Sequence, residues 1–204
     1  MVAPSGSRKM LAAREDLADK MSAIALQRGL TLFSLLNELL EVAIKVEDMG
    51  ISLKEAVDAY ELTKEAQDAS FTLVLESLLY DTSDLAFENA NQAALKTWFD
   101  AGVWVAKRYV ARGVKDPLSA YEQELKFFGW NISSFNFDRS GQDISIRIVS
   151  PRFSKNFTVL LNNYLLGILD ASGYEVTFNE VGRGNIRLEA FLKGVETING
   201  GNKG

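Results

Sequence analysis

Residues 130–149 read WNISSFNFDRSGQDISIRIV, and this stretch decides the fold class. Ile132, Phe135 and Phe137 fall in one run, Gly141 turns the chain, and Ile144, Ile146 and Ile148 then alternate with Ser145, Arg147 and Val149. A period of two with an apolar face is the signature of half-buried strands, so the segment is expected to be an antiparallel hairpin, closed by Ser150-Pro151. Downstream, Lys155–Ala171 reads as an apolar helix ended by Gly173. A second hairpin follows, with strands at 174–180 and Asn185–Leu192 joined by a Gly182-Arg183-Gly184 turn. That turn lies between two strands, which sets it apart from a phosphate-binding loop.

Upstream the period changes to that of helices. Asp116-Pro117 opens a helix over 118–128, with the proline in the first turn, where its missing N–H costs nothing. Before it, 89–111 predicts a long helix carrying Ala93, Ala94, Trp98, Ala101, Gly102, Val105, Ala106 and Tyr109; its small residues allow another helix to approach closely. Residues 71–75, FTLVL, read as a β-like run, with a polar hairpin or loop at 80–84.

The first third is helical. Leu17, Met21, Ile24 and Ala25 form one stripe of an amphipathic helix that Gly29 ends. Thr31 is placed to cap a second helix, whose Leu32, Leu35, Leu36, Leu39, Leu40 and Ala43 make it apolar over more than half its circumference. Two such helices hold more apolar surface than they can hide from water, so a partner chain or the rest of the protein is expected to cover it. Ser52-Leu53-Lys54-Glu55 is a capping box opening a sparsely apolar connector helix that runs to about residue 67.

Composition sets outer bounds. The chain has 204 residues, of which 47% are hydrophobic and 24% charged, and it contains neither cysteine nor histidine. Disulfides, thiolate or imidazole metal sites, cysteine nucleophiles, Ser-His-Asp triads and histidine haem ligation are therefore excluded. The carboxylates, among them Asp81, Asp84, Glu122 and Glu124, form no pair with a rationale for acid–base work, so no enzymatic activity and no cofactor is expected. The formal charge of −5 divides unevenly: residues 1–45 carry +1 and the remainder −6. With no secretory signal pattern and no apolar run approaching ~20 residues, a cytoplasmic protein without membrane contact is expected.

Two resemblances follow. Residues 15–43, EDLADKMSAIALQRGLTLFSLLNELLEVA, resemble the two helices of ribbon-helix-helix repressors of the CopG, Arc and MetJ kind, on Arg28-Gly29, the Thr31 cap and Asn37-Glu38-Leu39-Leu40. That resemblance implies a homodimer with a two-stranded ribbon in the DNA major groove. The ribbon would be residues 8–13, with Arg8, Met10 and Ala12 toward the bases and Arg28, Thr31 and Leu32 anchoring phosphate. Only Arg8 is basic on that face, and Met10-Leu11-Ala12-Ala13 favours helix over strand, so a bare dimerisation hairpin is the competing expectation.

Residues 70–193 resemble the 4-vinyl-reductase domain and the related small subunits of transport-particle (TRAPP) complexes, on Ala101-Gly102 and Ala106, the 130–149 hairpin, Tyr164-Leu165-Leu166-Gly167 and the closing hairpin ending near Phe191. The resemblance implies an antiparallel sheet faced by helices and a role in binding small hydrophobic ligands or in protein assembly. Without Cys or His, its haem, zinc and thioester versions are not expected. Trp98, Trp104, Phe157, Tyr164 and Phe178 are the expected lining of any pocket, although aromatics at such spacing are commonly core.

The expected architecture is thus α+β. A dimerising ribbon-helix-helix-like module occupies 1–48, a helical connector 49–69, an α/β domain with an antiparallel sheet 70–194, and a disordered tail 195–204. The expected function is a dimeric DNA-binding transcription regulator with a ligand-sensing or assembly domain; the alternative is a non-enzymatic oligomeric scaffold that ignores DNA.

Overall fold

The computed structural model describes residues 9–193. It divides into two compact units at Ala69/Ser70. The expected tail at 195–204 and the candidate base-facing Arg8 lie outside the described residues.

The first unit holds α1 (Glu15–Gln27), α2 (Leu32–Asp48) and α3 (Leu53–Asp68). Gly29, at φ +67°, ends α1 in a Schellman motif: its amide donates to the Leu26 carbonyl at 3.1 Å and the Leu30 amide to the Ala25 carbonyl at 2.9 Å. Thr31 then caps α2, its Oγ1 accepting from the Ser34 amide at 3.0 Å. At α3 both halves of the capping box form, Glu55 N donating to Ser52 Oγ at 3.2 Å and Ser52 N to Glu55 Oε2 at 2.6 Å. Residues 9–13 are exposed and have no regular secondary structure. Among the described residues of this unit, only Ala25 and Leu35 are buried.

The second unit holds α4 (Glu76–Ala111), α5 (Pro117–Phe128), the strands β1 (Ser134–Ser140) and β2 (Asp143–Val149), α6 (Lys155–Ala171), and the strands β3 (Tyr174–Gly182) and β4 (Asn185–Leu192). The four strands form one antiparallel sheet in the order β1-β2-β4-β3. Alternation puts Ile144, Ile146 and Ile148 opposite Ala190, Leu188 and Ile186, and all six are buried on one face. That face is covered by α6, whose Phe157, Leu165, Ile168 and Leu169 are buried. α4 in turn packs along α6, and α5 touches both helices. Thr158 joins the layers: its hydroxyl donates to the Ser154 carbonyl and accepts from the Gly184 amide in the closing hairpin.

One expectation is corrected. Residues 71–75 form no strand and 80–84 no loop; the helix begins at Glu76 and is kinked at Ala90, whose φ and ψ are −149° and 51°. The hydroxyls that make 80–84 look like a loop fold back onto helix carbonyls, Thr82 Oγ1 onto Leu78 and Ser83 Oγ onto Leu79, each at 2.6 Å. Ser83 is buried on that face.

Candidate functional site

The second unit has an aromatic cleft of about 310 Å³ between α4, α5 and α6, closed on one side by the chain that precedes α4. Phe157 lines it. Its ring centroid is 4.7 Å from that of Tyr80, 5.5 Å from Trp98 and 4.9 Å from Phe153, the last two edge-on. Tyr164 stands 5.8 Å from Tyr121 on the opposite wall. Burial holds the Tyr121 and Tyr164 hydroxyls well above the usual phenol range, so both stay protonated.

One ion pair stands behind the polar end of the cleft. Glu124 of α5 lines the cleft and accepts from Arg108 Nη2 of α4, with side chains only 14% and 9% exposed. The guanidinium carbon lies 5.1 Å from the Phe71 ring centroid and 4.7 Å from that of Tyr109. Arg108 Nε and Nη1 and the Tyr109 hydroxyl make no well-formed hydrogen bond, although the phenol lies close to both Glu124 and the guanidinium. Burial, with Glu124 close by, drives that phenol upward too.

At the rim, Tyr80 donates to Glu76 at 2.7 Å and accepts from Asn131, while Arg152 clamps Glu76 and the Trp130 carbonyl. Burial first, and the Glu76 hydrogen bond second, push the Tyr80 hydroxyl up to about 12.

Of the five aromatics expected at a pocket, Trp98, Phe157 and Tyr164 line this cleft. Trp104 and Phe178 do not; they are 52% and 39% exposed. Six residues beyond Trp98, Trp104 is carried off the buried stripe of Gly102, Val105, Ala106 and Tyr109. Phe178 is displaced by a β-bulge between Val176 and Phe178, which turns its ring to the outer face opposite Glu189, where Arg187 lies 5.2 Å above it. Sequence reasoning missed Arg108 and Phe71. The signal for Arg108 was a lone arginine next to the buried tyrosine of an otherwise small-residue stripe.

Asn162 is 3% exposed, with Oδ1 unpartnered, while its neighbour Asn163 donates to the Val159 carbonyl. A second depression, of about 390 Å³ on the outer sheet face, mixes Asp138 and Glu180 with Arg147 and Arg187; it is polar and of both signs. Among the described residues no cluster of acidic side chains is arranged to hold a metal, and no helix is long and apolar enough to cross a membrane.

In the first unit, Arg28 is engaged with Glu38 at 2.9 Å. Thr31 and Leu32 open α2, where Thr31 Oγ1 takes the Ser34 amide. Met10 and Ala12 are exposed. Comparison with protein-family models, curated proteins and solved structures gives no match.

Proposed function

We propose that the chain is a non-enzymatic, dimeric DNA-binding transcription regulator. In this reading the first unit pairs with a second copy as a ribbon-helix-helix-like module, and the cleft of the second unit senses a small apolar ligand. The observation that carries it is the apolar surface of α2: Phe33, Leu36, Leu39, Leu40, Val42 and Ile44 are exposed on a unit whose described residues bury only Ala25 and Leu35. Covering such a face returns roughly 25 cal/mol per Å². A two-fold copy of the same helix pair matches it in chemistry and length. Residues 9–13 precede α1 without any secondary structure of their own, where a ribbon would pair with its twin. Arg28 would exchange Glu38 for phosphate beside Thr31 and Leu32.

One observation favours the scaffold reading: among residues 9–13 only Lys9 is basic, while Met10 and Leu11 stand in solvent. Fluorescence anisotropy with labelled duplex DNA at several salt concentrations separates the two. A DNA-binding dimer gives an affinity that falls with salt, by about 0.9 log units per decade for each phosphate neutralised. No binding at low salt, or binding without a salt slope, leaves the scaffold.

A further inference from the structure

The cleft and its buried arginine together specify what kind of molecule belongs there, given the reading of the second unit as a ligand sensor. The Arg108 side chain is nine-tenths buried behind the cleft wall, against the lining residues Phe71 and Glu124, and two of its nitrogens, Nε and Nη1, make no well-formed hydrogen bond. Buried donors of this kind are costly to leave unmade, so a ligand supplying an oxygen there gains more than a hydrogen bond in water would give. The sign of the charge selects the oxygen. Glu124 already balances the guanidinium, so a carboxylate ligand would bring an unbalanced negative charge into an apolar cleft, whereas a neutral carbonyl brings none.

Phe71 is the group in the way. It belongs to the irregular segment 71–75, its ring forms part of the cleft wall beside Arg108, and it is still 43% exposed. The preceding residue, Ser70, begins the second unit with φ +62°, a left-handed conformation that a serine adopts at a cost. The first aromatic ring of the second unit thus follows a left-handed residue and lies against the arginine.

We propose that the cleft binds a ring-bearing apolar molecule with a neutral carbonyl oxygen, which takes the place of the Phe71 ring beside Arg108. Its departure frees the irregular segment 71–75 that precedes α4. Three probes of nearly one shape test this on the full chain by equilibrium dialysis: 2-acetonaphthone, 2-ethylnaphthalene, which lacks the oxygen, and 2-naphthoate, which carries a charge. The ketone is expected to bind at least about tenfold more tightly than either. In Phe71→Ala all three bind more tightly, with no ring to displace and the ketone preference intact, and the wild-type chain shows faster amide exchange over 70–75 when the ketone is bound.

Equal affinity for ketone and hydrocarbon, a preference for naphthoate, weaker binding by Phe71→Ala, or unchanged exchange over 70–75 overturns the inference while leaving the cleft as a ligand site. Binding of none of the probes by either form overturns the sensor reading itself, and this inference with it. The paired variant Arg108→Met/Glu124→Gln, which removes both charges together, is expected to abolish the ketone preference; retention of the preference overturns the role given to Arg108.

Discussion

Gly102 of α4 and Gly167 of α6 form a reciprocal backbone contact. A Cβ on Gly102 would lie 2.0 Å from the Tyr164 carbonyl oxygen, and one on Gly167 would lie 2.1 Å from that of Phe99. Each glycine is thus pressed against the carbonyl one turn before the other, and neither helix can admit a methyl group without moving. Gly102→Ala and Gly167→Ala are each expected to destabilise the second unit by about 3 kcal/mol, the upper range for overpacking, because the obstacle is backbone. Thermal unfolding checks this. Trp98 and Tyr164 sit one turn before the two glycines on the cleft walls, so the same variants should alter the fluorescence of Trp98.

The Arg108–Glu124 pair predicts an asymmetry between single and double replacement. Arg108→Ala leaves a buried carboxylate without its counter-charge and is expected to cost about 3–5 kcal/mol, whereas Arg108→Met/Glu124→Leu, which removes both charges and keeps the volume, should cost far less. Chemical denaturation of the two variants gives the comparison directly. Equal destabilisation would mean that the pair is held for its net attraction.

What the sequence shows and what it hides have distinct physical causes. The hairpins and α6 are legible because one face of each is buried against a single partner layer, so burial and periodicity coincide at Ile144, Ile146 and Ile148. The Thr31 and Ser52 caps are legible because the bonds are local. Residues 76–89 are hidden because the Thr82 and Ser83 hydroxyls satisfy themselves on i−4 carbonyls, giving a helix the composition of a loop. Phe178 is misread because a single inserted residue reverses the alternation that Tyr174 and Val176 establish. Of the cleft, the aromatic wall follows from spacing, but Arg108 and Phe71 meet across 37 residues of sequence and only the folded chain brings them together.

Acid should weaken the second unit through Asp116 and Glu122. Burial would raise the Asp116 carboxyl, but the Ser119 hydroxyl and amide, the Arg139 charge and the Leu118 amide outweigh it and hold it below the usual range. For Glu122, burial is likewise outweighed by hydrogen bonds and charge from Arg139 and Lys126. A depressed carboxylate contributes its stability above the unfolded-state pKa, about 4, and loses it as pH falls through the lower folded value. Stability is therefore expected to decline below about pH 4, less steeply in Asp116→Asn, which keeps a cap for α5 without the titrating charge. Urea midpoints between pH 2 and 6 measure it; parallel curves for the two chains would exclude Asp116 as a source.

The exposed apolar face of α2 gives the dimer its most direct test. Leu36, Leu39 and Leu40 lie at i, i+3 and i+4, all more than two-fifths exposed, and none contributes to the core of the second unit. A carboxylate at the centre of an interface they form would be desolvated without a partner, a cost of several kcal/mol carried twice in a symmetric pair. Leu39→Glu is therefore expected to convert a dimer of twice the 22.6 kDa chain mass into a monomer in sedimentation equilibrium. The thermal transition of the second unit should stay where it is, since its sheet and helices are untouched. With the dimer gone, the two-fold ribbon cannot form, so the same variant should also lose DNA affinity at low salt. A Leu39→Glu chain that remains dimeric would place the interface elsewhere and remove the basis for a ribbon-helix-helix arrangement.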